Sequence, residues 1–309
     1  MRALASPASL KGVLSAIDAA AALVEGLGPA ARPLPVADGG EGTLDVLSAA
    51  VGGEWQEAEV SDPLGRPVRA RWLLLGDGTA FVESAEAIGL GLLTEEERDP
   101  LNASSRGLGE LVGHAMDAGP EEIVVFLGGT ATVDGGEGLM EVLDGFRVPV
   151  RAACDVRAAL LDAVWVFADQ KGATADQLGE LERRLLANRL LAPFRGSAGA
   201  GAAGGLGAAM AALGAELVEG APLVLELIGF RERIKRADLV ITGEGTVDQT
   251  TWMGKAPGEV ARACAEAGVR CVLFGGRVGS RPGGVEIYEL SGDPARARED
   301  LVALGALLS

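Results

Sequence analysis

A pentapeptide of glycine and carboxylate occurs twice in this chain, as Asp38-Gly39-Gly40-Glu41-Gly42 and Asp134-Gly135-Gly136-Glu137-Gly138. Each copy precedes a short helix-like run, Leu44-Asp45-Val46-Leu47 and Met140-Glu141-Val142-Leu143. Gly243-Glu244-Gly245-Thr246-Val247-Asp248 continues the theme, giving three expected strand-to-helix turns with both residue types. Glycine lets backbone N–H groups come close to an anion, and a helix N-terminus favours negative charge. A carboxylate in the same loop would repel a phosphate unless Mg²⁺ lay between them. The pattern points to metal–nucleotide or proton chemistry; the competing reading is a set of tight turns with acidic N-caps.

Lysine placement adds to this. The chain has 27 basic residues, but only Lys11, Lys171, Lys235 and Lys255 are lysines, and three of them touch a glycine: Lys11-Gly12, Lys171-Gly172 and Gly254-Lys255. A lysine ammonium is a compact point charge suited to phosphate or carboxylate in a tight site; chance placement on loops is the alternative. Lys235, within Arg231-Glu232-Arg233-Ile234-Lys235-Arg236, reads as part of a solvated helix face. His114 is the single histidine, which excludes a histidine-rich metal site and leaves a carboxylate as general base: Asp38, Asp134, Asp155 or Asp248. The run Gly199 to Gly207 could cradle a phosphate or let a helix pack closely on a sheet. It lacks the Lys-Ser/Thr of a P-loop.

These loops need a scaffold. Arg2–Ser6 reads as a strand, Leu14–Leu27 as an Ala-rich helix with Ser15 as a candidate cap, Ala31–Val36 as a second strand and Thr43–Ala50 as a helix. Trp55–Ser61, Val68–Leu75 and Thr79–Ser84 read as short strands around the turns Asp62-Pro63-Leu64-Gly65 and Gly76-Asp77-Gly78. This antiparallel patch is the expected entry to a second domain. A helix near Gly107–Ala118 precedes the apolar strand Ile123–Leu127, and Leu239–Thr242 and Cys271–Phe274 are further strands. Apolar strands alternating with helices indicate a parallel sheet covered on both faces, with ligands beyond the carboxyl ends of its strands.

Composition narrows the function. The 309 residues carry a net charge of −17, which disfavours nucleic acid and anionic membrane as partners. Cys154, Cys264 and Cys271 form no CxxC pair, as expected in a reducing compartment. The N-terminus shows no long apolar stretch of the signal-peptide kind, so a cytoplasmic location is expected. The uncharged stretch Gly196–Ala215 is long enough to span a membrane, but seven of its twenty residues are glycine; it is read as a loop leading into a buried helix.

Taken in order, the motifs resemble the type-1 glycerate kinases of bacteria along nearly the whole chain. They are Ser6-Pro7-x-Ser9-x-Lys11-Gly12, Ala37-Asp38-Gly39-Gly40-Glu41-Gly42-Thr43, Asp62-Pro63-Leu64-Gly65-Arg66-Pro67, Gly128-Gly129-Thr130-Ala131-Thr132-x-Asp134-Gly135-Gly136, Ala153-Cys154-Asp155-Val156, Gln170-Lys171-Gly172-Ala173, the Gly199–Gly207 run, Ile241-Thr242-Gly243-Glu244-Gly245 and Gly254-Lys255-Ala256-Pro257. The resemblance implies an α/β fold with a flavodoxin-like parallel-sheet domain, expected at 1–50 plus 236–309, and an inserted mixed α/β domain, expected at 51–235. It implies ATP-dependent phosphorylation of D-glycerate to 2-phosphoglycerate with Mg²⁺; the oligomeric state is left open. Asp155 is the first choice for accepting the hydroxyl proton and Asp38 the second, with Lys11 beside them in the catalytic group. Lys171, Lys255, Gly199, Gly201, Gly243 and Glu244 are expected at the nucleotide, and Ser9, Gly39, Gly40, Thr130 and Gln170 at the substrate. Asp134 and Asp248 are expected to hold Mg²⁺.

The chain departs from the pattern in places. Ala8 stands where Asp is usual, and Thr246 where Arg is usual. Arg157-Ala158-Ala159-Leu160 replaces an Asn-Pro-Leu run, and the segment from Gly138 to Ala153 is short. Two alternatives therefore accompany the kinase reading: a non-kinase enzyme acting on a small phosphorylated acid, and an impaired kinase-like binding protein.

Overall fold

In the computed structural model, which describes residues 1–279 and 284–309, alternating strands and helices build two sheets. In chain order the strands are β1 (Ala3–Ala5), β2 (Arg32–Pro33), β3 (Glu54–Ser61), β4 (Pro67–Leu74), β5 (Thr79–Glu83), β6 (Glu122–Leu127), β7 (Val150–Cys154), β8 (Glu216–Glu219), β9 (Leu239–Val247), β10 (Arg270–Val278) and β11 (Glu286–Glu289). Two compact units hold them. The first comprises Met1–Asp38, Asp45–Val51 and Ala221–Ser309; the second comprises Gly39–Leu44 and Gly52–Gly220.

The first unit carries the sheet β2-β1-β9-β10-β11, parallel throughout. Counted within the unit, that order is 2-1-3-4-5, the flavodoxin-like arrangement, whose crevice opens where the order reverses, here between β1 and β9. Leu239, Ile241, Val272 and Phe274 are fully buried at its centre. Helices Ala16–Leu27 and Ala297–Leu307 pack against each other there, and small residues set their spacing. A Cβ on Gly26 would lie 2.0 Å from the Val302 carbonyl oxygen, and one on Gly305 would lie 2.5 Å from that of Leu23. Ser15 caps the first helix as expected, its side chain accepting from the Asp18 N–H. The strand expected over Ala31–Val36 shrinks to Arg32–Pro33. Pro33 and Pro35 have no N–H to donate, and only the Leu34 and Val36 amides continue the pairing, to Ala5 and Pro7.

The second unit carries β3-β4-β5-β6-β7-β8. β3, β4 and β5 pair antiparallel, as the turn-rich patch implied; β5 through β8 are parallel. Phe81 and Phe126 are fully buried on neighbouring strands, edge to face at 5.9 Å, each contributing about 1.5–3 kcal/mol through burial. Strands β7 and β8 had no clear signal in the sequence, being short and rich in Ala, Arg or Glu.

The glycine run Gly199–Gly207 serves close packing. A Cβ on Gly201 would sit 2.1 Å from the Ala159 carbonyl oxygen, one on Gly204 1.9 Å from that of Thr132, and one on Gly207 2.0 Å from that of Gly199. Ala203, Gly204 and Gly205 all have positive φ, and a buried helix follows through Ala212. No described helix is long and apolar enough to cross a membrane.

Candidate active site

Parallel strands place loops at their carboxyl ends, and in each unit those loops hold the residues with chemical potential. In the second unit, β6 ends at Leu127 and turns through Gly128-Gly129-Thr130, while β7 ends at Cys154 and delivers Asp155. A Cβ on Gly128 would lie 2.6 Å from Gly40 Cα and 2.7 Å from Asp155 Oδ2, so only glycine lets these three meet. Gly39 runs beside Gly220 and the Ala153 carbonyl. The Gly39-to-Gly42 loop therefore crosses the carboxyl ends of β6 and β7. Its amides are held from β5: the Glu83 carboxylate accepts from Gly42 N at 2.9 Å and Leu44 N at 3.1 Å.

Lys171 is the centre of this group. It lies in a short 3₁₀ turn, is 5% exposed, and donates through Nζ to Thr130 Oγ1 at 3.0 Å and to the Thr132 carbonyl at 2.8 Å. Burial pushes its ammonium down to about 8, against the opposing pull of the Asp155 and Asp134 charges. An amine kept in such a place without a carboxylate bonded directly to it is a candidate for function. Cys154, next to Asp155, is no nucleophile: burial pushes its thiol up to about 12. Its sulfur leans on the Gly199 carbonyl at 3.6 Å, so Gly199 backs the β7 end.

In the first unit the corresponding group centres on Glu244. The third glycine–carboxylate segment is not a turn, since β9 runs unbroken through Val247. Its glycines serve close backbone approach: a Cβ on Gly243 would lie 2.2 Å from the Phe274 carbonyl oxygen. Glu244 accepts from Thr251 Oγ1 at 2.7 Å and from Lys255 Nζ at 3.2 Å. Burial pushes its carboxyl up, opposed by those two donors and reinforced by the charge of Asp38. Lys255 occupies the N-cap of helix Ala256–Ala267, with Pro257 in the first turn. Asp248 caps the short turn after β9; the hydrogen bond from the Thr250 hydroxyl is the main reason its carboxyl sits low. The loop after β1 follows β9, with Ala8 N donating to the Gly243 carbonyl at 2.9 Å. It carries half-buried Ser9 and exposed Lys11.

A family model described as the glycerate kinase family matches residues 3–148 and 144–291. The chain belongs to the glycerate kinase family. A glycerate kinase of Bacillus subtilis (strain 168) is 39% identical, over 90% of this chain and 85% of its own length. A glycerate 2-kinase of Escherichia coli (strain K12) is 38% identical, over 84% and 81%. A crystal structure from Salmonella typhimurium LT2, described as a glycerate kinase 2, superposes with a TM-score of 0.82 at 32% identity, covering 100% of this chain and 97% of that one. This enzyme of the glycerate kinase family thus has the expected α/β fold class, with one parallel and one mixed sheet.

Its expected site residues divide as follows. The second unit gathers Gly39, Gly40, Thr130, Asp155 and Lys171, while Gln170 is exposed at the edge of the Lys171 turn. The first unit gathers Asp38, Gly243, Glu244 and Lys255, with Asp248 on the following turn. Asp134, expected at Mg²⁺, is hydrogen-bonded within its own loop and to Ser105. Its Oδ2 accepts from Ser105 N, Ser105 Oγ and Gly138 N, and its Oδ1 from Gly136 N. Gly201 packs against Ala159. Glu83 and Thr251 carry no signal as site residues in the sequence, beyond a carboxylate closing strand β5 for the first, and Thr132 stands in a quoted motif without a role of its own. Arg277 was missed as well. It pairs in register with Thr246 at the carboxyl end of β10 and is exposed, with no ion pair among the described residues.

Among the described residues no cluster of three or more His, Cys, Asp or Glu surrounds one point. Mg²⁺ bound with a nucleotide needs only one or two carboxylates. Asp38 and Glu244, whose like charges oppose each other, fit that requirement. Lys11, Lys255 and Arg277 offer cations in the same unit for a polyphosphate.

Proposed function

We propose that the enzyme phosphorylates D-glycerate at the expense of ATP, giving 2-phosphoglycerate, with Mg²⁺, in the cytoplasm. Family membership over most of the chain supports the substrate. The observation that carries the chemistry is the buried Lys171 ammonium beside Thr130 and Asp155. When bound, Mg·ATP supplies the phosphoryl group, and the ion offsets its charge. Asp38 and Glu244 would hold the Mg²⁺, and Lys255, Lys11 and Arg277 would pair with phosphate oxygens.

Asp155 accepts the proton of the substrate hydroxyl at its carboxylate. Lys171 fixes the Gly128–Thr132 loop through its two hydrogen bonds, and its ammonium is drawn toward the charge of Asp155. Gly39 and Gly40 let their loop lie close over the ends of β6 and β7, and the carboxylate of a three-carbon acid would meet Thr130 and Gln170. Arg277, in register with Thr246 on the next strand, would supply the cation that the family pattern places at Thr246.

The test is to incubate the purified protein with Mg²⁺, ATP and D-glycerate and follow phosphorus by NMR. A phosphomonoester coupled to the carbon-2 proton is expected. A signal at carbon 3 would overturn the regiochemistry, and absence of any organic phosphate from folded protein would overturn the reading.

A further inference from the structure

At the amino end of the first unit's sheet, opposite the loops described above, lies a cavity of about 240 Å³ lined by four arginines, Arg2, Arg32, Arg233 and Arg236. They come from three separate segments: the residue before β1, the start of β2, and the helix Phe230–Ile234 with the turn that leads from it into β9. Small residues, among them Ala3 and Ala30, leave the space open. In a chain with 44 acidic and 27 basic residues, most arginines are bonded to carboxylates; here three are not. Arg2 pairs with Asp238 at 3.1 Å. Arg32 donates only to the Pro29 and Ala31 carbonyls, each at 2.8 Å. Arg233 donates to the Ala50 carbonyl at 3.3 Å. The Arg236 side chain bonds to nothing among the described residues.

Among the described residues, Asp238 is the one carboxylate bonded to any of the four. Guanidinium groups present planar, paired donors that match phosphate and carboxylate oxygens. Three guanidiniums without a carboxylate call for roughly three negative charges, the sum of a phosphate monoester and a carboxylate. We propose that this cavity is a second anion site, binding small phosphorylated carboxylic acids. It lies at the amino end of β1, whereas Lys11 follows the carboxyl end of the same strand, so it is distinct from the candidate active site. The class includes the product proposed above, but the site rests on the arginines and not on that reading.

The experiment is calorimetric titration with 3-phosphoglycerate, and separately with inorganic phosphate and D-glycerate, at low salt. The wild-type protein should bind 3-phosphoglycerate more tightly than either fragment, with affinity falling as NaCl screens the charges. Arg32→Ala/Arg236→Ala should weaken that binding at least roughly tenfold, one charged hydrogen bond being worth about that factor. Lys255→Ala should leave it in place. Turnover of the arginine variant at saturating substrate should match wild type. Because the Arg236 side chain bonds to nothing in the protein, Arg236→Glu should unfold at the wild-type temperature and carries the test if the double variant does not fold. Equal affinity in wild type and arginine variants, or no binding by wild type, would overturn the proposal. Arginine-dependent binding by a protein without glycerate kinase activity would instead leave the site standing and overturn the proposed function alone.

Discussion

Replacing Lys171 with methionine separates what the buried ammonium does for folding from what it does for chemistry. Burial lowers its pKa from 10.5 to about 8. At about 1.36 kcal/mol per unit, the charged form at neutral pH costs the fold about 3 kcal/mol. Methionine removes that cost, but it also removes the bonds to Thr130 Oγ1 and the Thr132 carbonyl. Leaving a buried carbonyl unpaired costs about 1–3 kcal/mol. The two effects nearly cancel, so stability at about pH 7 should change by less than about 2 kcal/mol. Activity has no such compensation. Losing one charged contact at about 1.5–3 kcal/mol lowers kcat/KM roughly tenfold to over a hundredfold.

The pH dependence has a definite sign. Between about pH 8 and pH 10.5 the unfolded chain keeps the lysine proton and the folded protein has released it. The unfolded state then binds more protons, and wild-type stability must rise with pH relative to Lys171→Met, by up to about 3 kcal/mol across the window. Below about pH 8 the difference should be flat. Denaturant unfolding of both proteins at several pH values, beside an ADP-release assay, reads both effects. A variant that keeps activity within about threefold, or a stability difference that is flat through the window, would refute the assignment of Lys171 as a functional charge held against its burial cost.

Other substitutions test neighbouring claims. Asp134→Asn should lower stability by about 1–3 kcal/mol, since that carboxylate accepts from four protein donors; the Mg²⁺ concentration giving half-maximal rate should stay unchanged, as a shift would restore Asp134 to the metal. Lys255→Arg should cost roughly tenfold in kcat/KM, because a planar guanidinium presents a different donor geometry from the ammonium paired with Glu244. Lys235→Arg, on an exposed pair with Glu232, should be silent in the same assay. His114→Gln should leave kcat within about threefold, the side chain being exposed on helix Arg106–Asp117; a hundredfold loss would contradict a carboxylate base.

The sequence reading recovered the elements whose pattern is local. The Ala-rich helix with its Ser15 cap and the apolar strand Ile123–Leu127 follow from spacing alone. The antiparallel patch was equally legible, because Asp62-Pro63-Leu64-Gly65 and Gly76-Asp77-Gly78 punctuate it. Strand β8, Glu216–Glu219, was not, since it takes its strand character from pairing with β7 rather than from its own residues. The glycine–carboxylate repeat was visible but ambiguous. Asp134 organises its own loop, whereas the loop after Asp38 is held by Glu83, forty-one residues beyond Gly42. No local pattern encodes a partner at that separation. The same holds for Thr132 beneath Lys171, a contact between a loop and a distant 3₁₀ turn, and for Arg277 beside Thr246, set by strand register.

The central claim is phosphoryl transfer to a short hydroxy acid, and ADP release tests it most directly. Purified, folded protein is assayed with Mg²⁺ and ATP across D-glycerate and a panel of related hydroxy acids and sugars. The account predicts ADP formation that requires both Mg²⁺ and the acid, is fastest with D-glycerate, and is lost in Asp155→Asn. Release of ADP at an equal rate without any acid, or none with every acid in the panel, would contradict it.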